Sequence, residues 1–135
     1  MASEELAAVR DQHQASVLSQ ISNEMVHIYK EQFGRGPTKA RTDFASANLV
    51  IATLEESLTQ AERNLAAIGE HQRLRDVRML FQYASREHFV TSVERLTGRR
   101  VRAFVSGIDS VADVSSEVFY LDAAPPVLDV TSPRP

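Results

Sequence analysis

The chain of 135 residues holds four histidines, at positions 13, 27, 71 and 88, and no two of them lie three to five residues apart. No pair of imidazoles can therefore share one helical turn. Glu24-Met25-Val26-His27 is a Glu-x-x-His unit, which sets a carboxylate and an imidazole on one helical face. Di-iron carboxylate bundles use two such units and two further glutamates. A single unit reads as a surface or part-buried pair. The absence of cysteine excludes disulfides, thiolate zinc sites and cysteine nucleophiles. No Gly-x-Ser-x-Gly elbow occurs, and Ser85 and His88, one helical turn apart, have no oxyanion hole suggested nearby. Glu55 and Glu56 leave a predicted strand side by side and point to opposite faces, the wrong disposition for a shared acid/base site. The expectation is a chain with no catalytic residue, no metal site and no cofactor.

Anion chemistry has more behind it. Gly34-Arg35-Gly36-Pro37-Thr38-Lys39-Ala40-Arg41 gathers three cations and a hydroxyl in a glycine-containing loop. Backbone N–H groups beside Arg and Lys are how proteins hold phosphates and carboxylates. The segment is not a Walker loop, and it follows a helix rather than opening one, so no helix N-terminus points at a ligand. Arg99, Arg100 and Arg102 add charge if the two predicted hairpins adjoin. Gly34, Arg35, Gly36, Lys39, Arg41, Arg99 and Arg100 are thus the candidate anion- or partner-binding residues. The competing explanation is structural: Gly34 caps the helix and the cations balance its negative end.

The elements that would position these groups follow from periodicity and punctuation. A long helix is predicted from Ser3 to Gln32. Ser3 can cap it, and Glu4 and Glu5 suit the positive end of its dipole. Leu18, Ile21, Met25 and Ile28 recur at alternating three- and four-residue steps. Gln14 takes the next position upstream, so the stripe weakens towards the N-terminus. Gly34 stops this helix, and Pro37 forces an extended exit. Strands are predicted over Thr38–Ala45 and Leu49–Leu54, turning near Ser46–Asn48. Leu49-Val50-Ile51-Ala52 is apolar at successive positions, the pattern of a strand covered on both faces.

Thr59-Gln60-Ala61-Glu62 is a capping box, opening a short helix that runs to Ile68 and breaks at Gly69. A second long helix is predicted over Glu70–Leu96, with Leu74, Val77, Leu80, Phe81, Ala84, Phe89, Val93 and Leu96 as its apolar face and Gly98 as its stop. Two more strands follow. Val101–Ser106 sets Val101, Ala103 and Val105 against Arg102 and Phe104, and Ser116–Leu121 comes after a long polar connection, Gly107–Val114. The order α-ββ-α-α-ββ predicts an α+β fold, with an antiparallel sheet of two hairpins packed against long helices on one face.

At this length one domain is expected, over residues 1-122. Residues 123-135 hold four of the five prolines and read as a flexible Pro-rich C-terminal tail. The N-terminal segment is acidic and has no apolar run of signal-peptide length. Nothing approaches the ~20 apolar residues that span a bilayer, so no direct membrane insertion is expected. A net charge of −3 with 7% aromatic residues gives no basic, ring-interleaved surface, and no nucleic acid partner is expected. The first helix is ~42 Å long at 1.5 Å per residue, against a diameter of roughly 37 Å for a compact chain of this size. It overhangs its own domain, so its N-terminal half either frays or packs on a second copy, and the second alternative, the one favoured, predicts a homodimer.

Tyr29-Lys30-Glu31-Gln32-Phe33-Gly34-Arg35-Gly36-Pro37-Thr38-Lys39-Ala40-Arg41 resembles the MpsC-like family. So do Leu58-Thr59-Gln60-Ala61-Glu62, the stretch Phe89–Gly98 with its Glu-Arg-Leu-Thr-Gly ending, and Glu117-Val118-Phe119-Tyr120-Leu121. The resemblance extends from Gln20 to Asp122. The family is named for a sodium-translocating, membrane-potential-generating system. The resemblance implies a soluble, non-enzymatic accessory or regulatory protein of a membrane ion or inorganic-carbon uptake system. It also implies a cytoplasmic location, peripheral to the membrane through a transporter subunit as partner. It carries no site residue with an assigned role, and the turn Ala45-Ser46-Ala47-Asn48 is less acidic than the family pattern. Two alternatives stand beside it. One is a small-anion or nucleotide sensor using the Gly34–Arg41 loop. The other is a cryptic enzyme, for which a pocket joining Glu24 and His27 to a second carboxylate would speak.

Overall fold

The stripe of Ile21, Met25 and Ile28, extended by Tyr29, is buried and seats a long helix, α1 (Ala2–Phe33), on a sheet. The computed structural model describes residues 2–123. The predicted tail lies, from residue 124 onward, outside the described residues. Ser3 falls inside α1 rather than before it, so it stands in the first turn and is not the cap the sequence suggested.

The strands β1 (Lys39–Ser46) and β2 (Leu49–Glu55) form the first hairpin. Three helices follow, α2 (Gln60–Ala67), α3 (His71–Ala84) and α4 (Arg86–Thr97), and then the second hairpin, β3 (Val101–Asp109) and β4 (Val114–Leu121). The four strands make one antiparallel sheet in the order β1-β2-β4-β3, so the hairpins meet through their second strands. α1 packs on β1 and β2, α3 and α4 pack on β3, and α1 lies against α4. This is the α+β layering expected of a sheet with helices on one face.

Several details depart from the expectation. The helix predicted over Glu70–Leu96 is two helices, because the chain turns at Ser85. The Ser85 N–H is shared between the Phe81 and Gln82 carbonyls, the tightening that commonly closes a last turn, and neither glycine nor proline marks it. The apolar face assigned to this region holds at Leu74, Phe89, Val93 and Leu96 and fails between them. Val77, Leu80, Phe81 and Ala84 are exposed, and beside the expected Leu74 α3 buries Arg78 and Gln82. A polar side is inward because Arg78 and Gln82 each find hydrogen-bond acceptors there. In β3 the inward residues are Phe104 and Ser106, while Val105 is 49% exposed. The second hairpin is longer than predicted. Asp109 accepts from the N–H groups of Val111 and Ala112, and Asp113 adopts φ +55. This tight turn replaces the long connection. β2 is not covered on both faces: its buried residues are Val50, Ala52 and Leu54, alternating with half-exposed neighbours.

Candidate functional site

The loop after α1 is set by two glycines. Gly34, at φ +78, donates its N–H to the Lys30 carbonyl at 2.9 Å, the left-handed helix stop that other residues rarely adopt. Gly36 lies so close to α1 that a Cβ would meet Val26 Cγ1 at 3.2 Å and the Val26 carbonyl at 3.3 Å.

The loop's cations are engaged by the chain. Arg35 donates to the Leu58 and Glu56 carbonyls, both at 3.3 Å. Lys39 Nζ stands 3.5 Å from Glu56 Oε1, and the Thr38 hydroxyl donates to the other Glu56 oxygen. That hydrogen bond first, and the Lys39 charge next, hold the Glu56 carboxyl below its ordinary range. Arg41 Nε donates to Asp43 at 2.9 Å.

Arg99 donates to the Ala47 carbonyl at 2.7 Å, the Asp122 carbonyl at 2.6 Å and the Asn48 side chain. It therefore clamps the β1–β2 turn. The Lys39 end of this hairpin pairs with Glu55, and its far end is Ser46 and Leu49. Arg99, with Arg100 beside it, thus sits at the opposite end of the hairpin from Arg35 and Lys39. The structure does not bring the seven candidate residues to one place.

Glu24 and His27 do line a common recess, of about 400 Å³, with Glu31, His88 and Arg95 between α1 and α4. Within it His27 Nε2 is 3.1 Å from Glu31 and Glu24 is 3.4 Å from Arg95. Among the described residues no three His, Asp or Glu side chains gather closely enough to hold a metal ion.

A third constellation is buried, and sequence reasoning missed it. Glu117 on β4 is fully inaccessible and faces the helices from a row of small neighbours, Ala52 on β2 and Ser106 on β3. Those neighbours leave room above the sheet. The Tyr29 hydroxyl of α1 donates to Glu117 Oε1 at 2.6 Å, and Gln82 Nε2 of α3 donates to the same oxygen at 3.1 Å and to Ser106 Oγ at 2.5 Å. Two helices are thus fastened to one carboxyl oxygen. Burial pushes the Glu117 carboxyl up to about 7, against the lowering influence of hydrogen bonds from Ser106, Tyr29 and Gln82. Burial, and then the Glu117 charge, raise the Tyr29 phenol well above its usual value.

One turn before Gln82, Arg78 is also fully buried. Its Nε and Nη2 donate to the two Glu62 oxygens at 2.5 and 2.8 Å, and Nη2 also reaches the Ser57 carbonyl at 2.7 Å. Its guanidinium lies 3.7 Å from the centre of the Phe33 ring. Burial alone would raise Glu62, but the Arg78 hydrogen bond and the Thr59 N–H outweigh it and hold the carboxyl below its usual range. Arg78 Nη1, Gln82 Oε1 and Glu117 Oε2 have no hydrogen-bond partner among the described residues. The sequence did carry a signal. Arg78 and Gln82 follow Leu74 at four-residue steps, and Glu117 alternates with Phe119 and Leu121 on β4.

These features define a small α+β domain whose helix layer is pinned to an antiparallel sheet by a buried Tyr–Glu–Gln cluster and a buried Arg–Glu pair. A family model described as "Na+-translocating membrane potential-generating system (MpsC)" matches residues 13–123. The chain belongs to the MpsC family. No curated protein and no solved structure matches it. Among the described residues, no helix is long and apolar enough to cross a membrane.

Proposed function

We propose that this chain is a non-enzymatic accessory or regulatory protein of a membrane-associated ion or inorganic-carbon uptake system, working as a homodimer on the cytoplasmic side. The observation that carries the reading is the family match over residues 13–123, whose description names a Na+-translocating system. The chain's own geometry supports a binding role. Every residue from Ser3 to Ser16 is exposed although helical. An isolated helix of that length is marginal in water, and this arm is the segment we assign to the membrane-bound partner. The α3 stripe of Val77, Leu80 and Phe81 adds exposed apolar surface.

The test is co-purification of the tagged chain from native membranes at low and high salt. Retention that survives high salt is expected, because the exposed stripe and the Leu6 and Val9 side chains of the arm are apolar. A chain that leaves the membrane fraction entirely and brings no partner with it would end the reading.

A further inference from the structure

The central strands carry a contradiction between sequence and cover. Leu49-Val50-Ile51-Ala52 in β2 and Val118-Phe119-Tyr120-Leu121 in β4 are apolar at successive positions. Such runs belong to strands buried on both faces, whereas a sheet with one wet face alternates apolar and polar residues. Here the helices cover one face only, over Val50, Ala52, Leu54, Phe104, Phe119 and Leu121.

The register places the remaining residues in rows across the open face. Ile51 pairs with Val118, which pairs with Val105; Leu49 pairs with Tyr120, which pairs with Ala103. These two rows are uncharged and apolar, while the next two, Thr53–Ser116–Gly107 and Glu55–Val114–Asp109, are polar and carry Glu55 and Asp109. The apolar rows are flanked by charge on both edges: the Arg41–Asp43 pair on β1, and Arg102, whose guanidinium lies 5.4 Å from the centre of the Tyr120 ring, on β3.

We infer that the open face of the sheet is the homodimer interface, packed against the same face of a second copy. Self-association fits the charges. Turning the second copy about an axis along the strands lays its β1 edge over the β3 edge of the first. Asp43 of each copy then lies over the β3 edge of the other, level with Val105 and one row from the long Arg102 side chain, and the apolar rows meet in the middle. Such a contact is isologous and closes with two copies.

The size also suffices. Four strands ~4.8 Å apart and about seven residues long cover roughly 450 Å². Two such faces, with their side-chain relief, come to about 1,000 Å², the threshold for a specific interface. Because α1 lies on the other side of the sheet, this contact leaves the arm free. The inference rests on the dimeric reading above but fails separately from it.

Sedimentation equilibrium on the full chain tests it, with Val105→Glu and Ile51→Lys as face variants and Leu6→Asp as an arm control. The wild type and the control are expected to be dimers. Each face variant is expected to weaken association about a hundredfold or more, as loss of an interface anchor does. An unchanged melting profile at low concentration shows that the variants fold. The cysteine-free chain permits a second measurement. Val118→Cys, close to the two-fold axis, should cross-link to itself with a short bismaleimide, and Val77→Cys on α3 should not.

A dimer that persists in both face variants overturns the inference and leaves the dimeric reading standing. A wild-type monomer at every concentration removes both. A monomer whose Val118→Cys thiol becomes shielded only in membrane extract assigns the face to another protein and likewise overturns the inference.

Discussion

Glu117 shows how much one residue can decide. A carboxyl in the core gains by keeping its proton, and burial holds this one up to about 7 against 4.5 when unburied. Between these values the folded chain retains a proton that the unfolded chain has released. Stability is therefore complete below the lower value, falls as pH rises through the window, and is level above it. The difference is worth roughly 3 kcal/mol. The Arg78–Glu62 pair acts in the opposite sense. Glu62 is lowered, so its contribution is lost on acidification, below the window in which Glu117 works. Glu117→Gln preserves shape and removes the proton. Denaturation midpoints measured from pH 4.5 to 8 should fall with rising pH for the wild type relative to the variant, and the variant should be the more stable at pH 8. Parallel curves would show that Glu117 does not titrate in this range.

At the scale of the element, α2 is the instructive case. None of its residues is fully buried, so packing against α3 holds it only weakly. The Thr59–Glu62 capping box holds its start, with the Glu62 N–H donating to Thr59 Oγ1 at 3.2 Å and the Thr59 N–H to Glu62 Oε1 at 2.9 Å. Arg78 ties the same Glu62 to the core. The capping box was legible because its chemistry is local, confined to four consecutive residues. The anchor was not, because Arg78 is buried only through partners 16 and 21 residues away in sequence.

The misplaced face of α3 has the same origin. Val77, Leu80, Phe81 and Ala84 make a better apolar stripe than Leu74, Arg78 and Gln82. A hydrophobicity pattern cannot know that Glu62, Ser57 and Glu117 will accept hydrogen bonds from Arg78 and Gln82. The two bonds should differ in weight. Thr59→Ala removes one cap and should cost about 1 kcal/mol. Arg78→Met leaves a part-buried carboxylate without its cation and should cost about 3 kcal/mol or more. Urea denaturation at pH 7 compares them, and equal small losses would mean that α2 is held some other way.

Over the whole molecule, the sequence specified the class, the order of the hairpins and the helix-terminating glycines, because these rest on backbone chemistry and periodicity. Which surfaces remain open depends on where the chain runs out of helices, and only the folded arrangement shows that. α1 has two regimes along one continuous helix. From Ile21 to Tyr29 it carries the core, while from Ser3 to Ser16 every residue is exposed. Local stability follows contact with the core, so hydrogen exchange should divide the helix. Amides over 21–33 are expected to exchange only on global unfolding. Those over 6–14 should exchange orders of magnitude faster, at the rate of a marginal isolated helix. If the dimer is made by the sheet face, raising the protein concentration leaves the arm unprotected, and protection of the arm appears only when membrane extract supplies its partner. Protection of residues 6–14 that grows with concentration in the purified protein would instead place the arm in the dimer contact and take the open sheet face out of it.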